Sequence, residues 1–229
     1  MKIEIILAQF GSRSGNVQPS YNSFKNSFPE ATFKMYSDQP QPQLPFETIV
    51  LKTPYDPSHP RYGHRCNDLY KAVGLLDSKA DICIAVDSDM LIVLSKPGVS
   101  SLIPLTVKFG MCLPMNPRWL VKTDCMIGED SDRVLDETGG NGFAMNMSPI
   151  SFFTKCDSAR GVLDRYAKQM RHNVARGPLA MWRAVWKGGD FYSPYLLPPQ
   201  WCVCAENCGV GDEVVLHVGH EKVSKYYDC

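Results

Sequence analysis

The stretch Asp81-Ile82-Cys83-Ile84-Ala85-Val86-Asp87-Ser88-Asp89 decides how the rest of the chain is read. It opens as a continuous apolar run of strand length, the mark of a strand buried on both faces. It stops abruptly on two carboxylates one residue apart. Side chains at i and i+2 of extended backbone point to the same side, so Asp87 and Asp89 crowd two negative charges together. Carboxylates placed this way repel each other and resist desolvation unless a cation neutralises them. A divalent ion with oxygen ligands is the simplest compensation. A solvated turn with two surface aspartates is the plainer alternative. The buried strand ahead of the pair favours a ligand site, because α/β proteins hold ligands at the carboxyl edge of a parallel sheet.

Working outward, Lys2 to Ala8 is another apolar run, closed by Phe10-Gly11-Ser12-Arg13-Ser14-Gly15. Tyr21 to Phe28 has helical spacing and ends at Pro29. Ala31 to Tyr36 and Thr48 to Lys52 are strand candidates, separated by a proline-rich loop. From Cys66 to Leu76, Leu69, Val73 and Leu76 trace the apolar face of an amphipathic helix. Met90 to Leu94, Val107 to Leu113, Gly142 to Met147 and Glu213 to Val218 are further strand candidates. Asp124 to Gly140 is polar and charged and is expected to be a mobile excursion. Helical patterns are expected at Ser151 to Met170 and Leu179 to Trp186. Strands alternating with helices in the first half imply a mostly parallel sheet covered on both faces, in a single domain.

The 229 residues, 44% of them hydrophobic, suffice for a core without staples. Lys plus Arg and Asp plus Glu both number 24, so no basic surplus argues for nucleic acid. No apolar run reaches the roughly 18 residues that would span a bilayer, and the start lacks the apolar region of a signal peptide. The cysteines are nine, an odd number, and their scatter suits reduced thiols in a soluble cytosolic protein, either freestanding or excised from a longer chain. Cys202, Cys204 and Cys208 do cluster, but C-x-C-x-x-x-C lacks the paired spacing of a zinc site, so they read as structural or incidental.

A second constellation lies near the end, where Val214-Val215-Leu216 runs into His217-Val218-Gly219-His220-Glu221-Lys222. An imidazole at a strand end can complete the ligand set begun by Asp87 and Asp89, since Mn²⁺ accepts nitrogen beside carboxylate oxygen. Lys222 follows closely enough to meet a phosphate bridged to that metal. The exits of the first two strands, Gln9-Phe10-Gly11 and Tyr36-Ser37-Asp38, are expected beside Asp87 on one sheet edge. Base and ribose would rest there, with Phe10 as a stacking surface (core packing being the plainer reading) and Asp38 accepting hydrogen bonds.

The run from Tyr62-Gly63-His64-Arg65 to Asp87-Ser88-Asp89-Met90 joins a basic residue, a helix, an apolar strand and D-S-D. It resembles glycosyltransferase family 34, the galactosyl-, xylosyl- and mannosyltransferases of GT-A fold. Asn141-Gly142-Phe143-Ala144-Met145-Asn146-Met147-Ser148-Pro149 resembles the family's N-x-G strand. His217 to Lys222 resembles its H-x-x-G-x-K signature, with the glycine one position early at Gly219, and Arg65 stands where the family has lysine. The resemblance implies a single GT-A (Rossmann-like) α/β domain with a mostly parallel central sheet. Residues 1–113 would form the nucleotide-binding half and 114–229 the acceptor-side half. It further implies Mn²⁺ (or Mg²⁺) on Asp87, Asp89 and His217, with the diphosphate met by Arg65, Gly219 and Lys222. Ser88 would join the nucleotide site, and Asn141 and Gly142 the sugar site.

The implied reaction takes a sugar, with retained configuration, from a uridine diphosphate sugar to a saccharide or glycoprotein acceptor. Should the anomeric centre invert instead, a general base is needed, and Asp190, Glu206 and Asp212 are the candidates, Asp190 first. The aromatic residues Trp182, Trp186, Tyr192, Tyr195 and Trp201 suit either acceptor stacking or ordinary packing. Two rival readings are a phosphohydrolase of the haloacid dehalogenase type, with the first aspartate as nucleophile, and a non-catalytic nucleotide- or sugar-binding module.

Overall fold

The computed structural model describes residues 1–11, 16–93, 97–119, 131–139, 143–172, 176–189, 191–205, 207–209 and 211–227. In chain order the elements are β1 (Ile3–Gln9), α1 (Gln18–Ser27), β2 (Thr32–Ser37), β3 (Glu47–Val50), α2 (Tyr62–Asp77), β4 (Ile82–Asp87), β5 (Met90–Ile92), α3 (Leu102–Phe109) and β6 (Met111–Trp119). Then follow α4 (Ser131–Thr138), β7 (Phe143–Met145), β8 (Ile150–Phe153), α5 (Asp157–His172), α6 (Gly177–Trp186), β9 (Tyr195–Leu197), β10 (Val215–His217) and α7 (Glu221–Tyr227).

The main sheet runs β3-β2-β1-β4-β8-β6-β7, with β9 beside β6. β1 pairs in parallel with both β2 and β4, whereas β8 is antiparallel to β4 and to β6. The apolar runs of β1 and β4 are continuous because both faces are covered. Ile6, Ala8, Cys83 and Ala85 face a core completed by α2, α5 and α6. Ile5, Leu7, Ile82, Ile84 and Val86 face a second core with Phe24 of α1 and Leu102 of α3. After β3 the chain returns across β1 through α2 to reach β4. The carboxyl ends of β1 and β4 therefore flank a topological switch point, the place where such sheets leave a crevice for ligand.

Helix α2 seats its first turn against the end of β1. A Cβ on Gly63 would come to 2.5 Å from the Phe10 carbonyl oxygen, so only glycine lets helix and strand approach this closely. A smaller two-stranded sheet of β5 and β10 stands beside this edge, antiparallel, with His217 opposite Met90.

Three expectations from sequence need correction. Val107 to Phe109 end α3 and do not begin a strand. Thr106 returns its hydroxyl to the Leu102 carbonyl at 2.7 Å, and Gly110, at φ 78°, closes the helix before β6. Within the polar stretch 124–140, residues Ser131–Thr138 form α4, which buries Val134. The helical pattern read from Ser151 is first β8, wedged between β4 and β6, with α5 starting only at Asp157. In each case a neighbouring strand or core outweighs local periodicity. Among the described residues no helix is long and apolar enough to cross a membrane.

Helix α4 is tied to α6 through charge. Arg183 donates to both oxygens of Glu137 at 2.9 Å, and Lys187 adds a contact at 2.6 Å. The Arg183 bonds, aided by Lys187 and opposed by burial, hold the Glu137 carboxyl down to about 2 from 4.5. A carboxyl depressed in the folded state stabilises it fully above the unfolded pKa and stops doing so as the proton goes on. Stability measured by urea denaturation should therefore fall between pH 4.5 and about 2, and Glu137→Gln should flatten that part of the curve.

Candidate active site

A cavity of about 450 Å³ opens at the switch point. Its floor is a polar stripe of α2. His64, Asn67, Asp68 and Lys71 recur at helical spacing, with Arg61 just ahead, and all line the cavity. Asp87, Asn116, Asn146, Arg176, Cys202, His217 and His220 line it from other elements.

Lys71 is the centre of this arrangement. Its buried ammonium lies 2.9 Å from Asp87 Oδ1 and 3.7 Å from Asp68 Oδ1. Burial works against the charge, but the two carboxylates outweigh it, and the Lys71 pKa lies above its ordinary value. Asp68 also accepts the Gly177 backbone N–H at 3.0 Å and meets Arg176 at 3.8 Å. The strand end is fixed as well, since the Asp87 N–H donates to Ser148 Oγ at 2.7 Å.

Asp89 and His217 come together through the β5–β10 ladder. The Val218 N–H donates to the Asp89 carbonyl at 3.0 Å, and His217 Nε2 sits 3.1 Å from Asp89 Oδ1. Burial disfavours the imidazolium, yet Asp89 and the Cys204 sulfur raise the His217 pKa to about 10. A metal ion taken up here must displace that proton. Gly219 leaves room for the Asp89 carboxylate, into which any Cβ at that position would run. Asp87 is turned toward Lys71, so Oδ2 is its oxygen left to meet a cation. Asp89 and His217 are thus paired while Asp87 is held by Lys71, so the three do not form a closed ligand cluster; by donor type, two carboxylates and an imidazole suit Mn²⁺.

The other residues singled out from sequence fall differently. Phe10 is fully buried and stacks on Tyr70 at 4.9 Å between centroids, so it is core and not a platform for a base. Arg65 is nearly buried, with its guanidinium 4.2 Å over the Tyr55 ring, and it is not among the cavity-lining residues. One helical turn earlier, Arg61 takes that position. Lys222 is exposed on the first turn of α7 beside Glu221, Lys225 and Tyr226, and it does not line the cavity. Gln9 is buried, and Asp38 accepts the Gly11 N–H at 3.0 Å, so these three close the sheet edge. Ser88 lies in the turn between Asp87 and Asp89. Asn141, Gly142, Asp190 and Glu206 lie outside the described residues.

Sequence reading missed the α2 stripe. The signal was available, because polar residues at 64, 67, 68 and 71 repeat with the helix period on the face opposite Leu69 and Val73. Two of the cavity's amides carry further information. Asn67 Oδ1 and Asn146 Nδ2 are buried with no hydrogen-bond partner among the described residues. A buried polar atom without a partner is costly, so the pair offers one acceptor and one donor to whatever enters the cavity.

The strand order, the switch-point crevice and the acidic turn define a Rossmann-like α/β fold of GT-A type. Solved structures agree. The apo structure of the bifunctional glycosyltransferase WbbM matches at TM-score 0.58 and 12% identity, over 99% of this chain and 48% of that one. The galactosyltransferase LgtC, in complex with donor and acceptor sugar analogues, matches at TM-score 0.58 and 11% identity, over 93% of this chain and 86% of that one. A glycosyltransferase involved in glycosylation of the major capsid of PBCV-1 matches at TM-score 0.60 and 11% identity, over all of both chains. The chain thus spans about half of WbbM and the full length of the PBCV-1 enzyme. No protein-family model and no curated protein sequence matches it.

The buried charge cluster makes a sharp stability prediction. Lys71→Met keeps the length of the side chain but leaves Asp87 without its cationic partner and Asp68 with only the more distant Arg176. It should cost about 3–5 kcal/mol in urea denaturation, the usual loss when one partner of a buried pair is removed. Adding Asp68→Asn should recover part of that loss.

Proposed function

We propose that the chain is a glycosyltransferase that uses a nucleotide diphosphate sugar, with a uridine diphosphate sugar as the preferred donor and a saccharide or glycoprotein as acceptor. The observation that carries this reading is the polar crevice at the switch point, lined by Arg61 and Arg176, by the amides of Asn67, Asn116 and Asn146, and by Asp87 and His217, with Asp89 behind His217 at 3.1 Å. A nucleotide sugar has both chemistries that such a crevice accepts, an anionic diphosphate and a ring of hydroxyls.

Arg61 and Arg176 are placed to hold the diphosphate by charge-assisted hydrogen bonds. Lys71 holds Asp87 in place and keeps the donor wall from becoming a repulsive patch. Asn67, Asn116 and Asn146 accept and donate to sugar hydroxyls. Asn116 and Asn146 are already oriented by their mutual bond of 2.9 Å. Asp87, Asp89 and His217 would bind Mn²⁺, which when bound supplies Lewis-acid neutralisation of the leaving diphosphate. The preference for uridine and for retention of configuration follows from the resemblance to family 34.

Calorimetry on two variants tests this reading. Asp89→Ala should remove Mn²⁺-dependent donor binding while leaving the fold intact. Asn67→Leu removes the unpartnered buried amide, so it should keep or raise stability. The same variant should weaken the nucleotide sugar relative to the nucleoside diphosphate by about fivefold, for one lost hydrogen bond of about 1 kcal/mol. Wild-type manganese-dependent affinity in Asp89→Ala would remove the metal site. Equal losses for sugar-bearing and sugar-free ligands in Asn67→Leu would remove the sugar assignment.

A further inference from the structure

The cavity wall opposite α2 carries a second donor set, of a different chemical character. Cys202, Cys204 and His217 each present a ligating atom, and these atoms all lie within 4.8 Å of one another. The two Sγ atoms are 3.6 Å apart, far beyond the roughly 2.05 Å of a disulfide bond. Cys204 Sγ is 4.0 Å from His217 Nδ1. Around a tetrahedral zinc with Zn–S of about 2.3 Å and Zn–N of about 2.0–2.1 Å, sulfur atoms stand about 3.8 Å apart and sulfur and nitrogen about 3.6 Å apart. The Cys202–Cys204 and Cys204–His217 distances already match these to within about half an ångström.

Backbone pairing puts these groups together. Val203 bridges to Leu216, and the His217 N–H donates to the Val203 carbonyl at 3.0 Å, which sets Cys204 beside His217. Asn207 braces the loop, accepting the Cys204 N–H at 2.7 Å and donating to the Cys202 and Pro199 carbonyls at 3.2 and 2.7 Å. Cys208 is turned aside, its thiol on the Cys204 carbonyl at 3.1 Å. His220 stands edge-on to His217 with ring centroids 4.6 Å apart, and it too interacts with the Cys204 thiol.

The geometry points to a thiophilic cation site, for Zn²⁺ or a similar soft dication, formed by Cys202, Cys204 and His217 Nδ1, with the fourth position left to solvent. Binding releases to solvent the thiol protons and the proton on His217 Nδ1. His217 bound through Nδ1 keeps its proton on Nε2, where it donates to Asp89, the carboxylate–histidine–zinc relation that fixes ring orientation. Hard and soft cations therefore compete for one ring. A manganese ion at Asp89 needs the Nε2 lone pair, and the thiolate-bound form withholds it. The inference rests on the proposed donor site only through this shared histidine.

Cobalt(II) titration of the reduced full chain tests the site without recourse to activity. One equivalent should give an intense thiolate-to-cobalt charge-transfer band that zinc bleaches. Cys204→Ser should abolish the band. Asp89→Asn should keep it with affinity weakened about ten- to a hundredfold, as for a carboxylate acting through a ligating histidine. Asp87→Asn should keep the band unchanged, which separates this site from the donor's hard cation. In the unmodified chain, zinc should protect Cys202 and Cys204 from alkylation, a readout that stands even where a variant fails to fold. Absence of the band, its survival in Cys204→Ser, or alkylation of both thiols at the same rate with and without zinc would overturn the proposal.

Discussion

The site depends on one buried charge. Lys71 carries its ammonium into the molecule between Asp68 and Asp87 and pairs with both. Isolated charges in an apolar interior carry a penalty of several kcal/mol, so the three form a single unit. Around that unit α2 presents its polar stripe, Arg176 reaches Asp68, and the end of β4 is held at a fixed distance from the helix. A cavity lined with so many ionisable groups stays formed because its charges are matched internally. This lets its outer groups face a ligand.

The topology decides where this unit stands. The order β3-β2-β1-β4 reverses direction at β1, and the reversal leaves a crevice beyond the carboxyl ends of β1 and β4. The small β5–β10 sheet then folds the chain's last strand back on the acidic turn, so residues 128 positions apart, Asp89 and His217, meet at 3.1 Å. The same strand, through its bridge to Val203, brings the two cysteines to the other nitrogen of His217. One imidazole thus stands between oxygen donors and sulfur donors, and the tautomer it adopts sets which side of the crevice can take a cation.

Much of this was legible in the sequence. The run Asp81 to Val86 reads as a doubly buried strand, and its two faces do enter two cores. The pairing of Asp89 with His217 also follows from residue chemistry and the strand-end position of each. Other features needed the tertiary structure. Phe10 looks the same in sequence whether it stacks on Tyr70 or on a ligand. Arg65 and Arg61 are one helical turn apart, and only the docking of α2 on β1 at Gly63 shows that Arg61 reaches the cavity. Lys222 follows His217 closely in sequence, yet α7 carries it to the surface. Cys202 and Cys204 show no paired zinc spacing in sequence because the histidine beside them, His217, lies on β10.

The central claim is that the switch-point crevice binds and cleaves a nucleotide sugar. The direct measurement is product analysis after prolonged incubation of the chain with Mn²⁺ and a panel of nucleotide sugars, without acceptor. The account predicts slow, manganese-dependent release of a nucleoside diphosphate and free sugar from one donor class, uridine first. Release of inorganic phosphate from simple phosphomonoesters, with nucleotide sugars left intact, would contradict it and favour a phosphohydrolase. No turnover of any nucleotide sugar, with or without metal, would leave a binding module and refute the transferase.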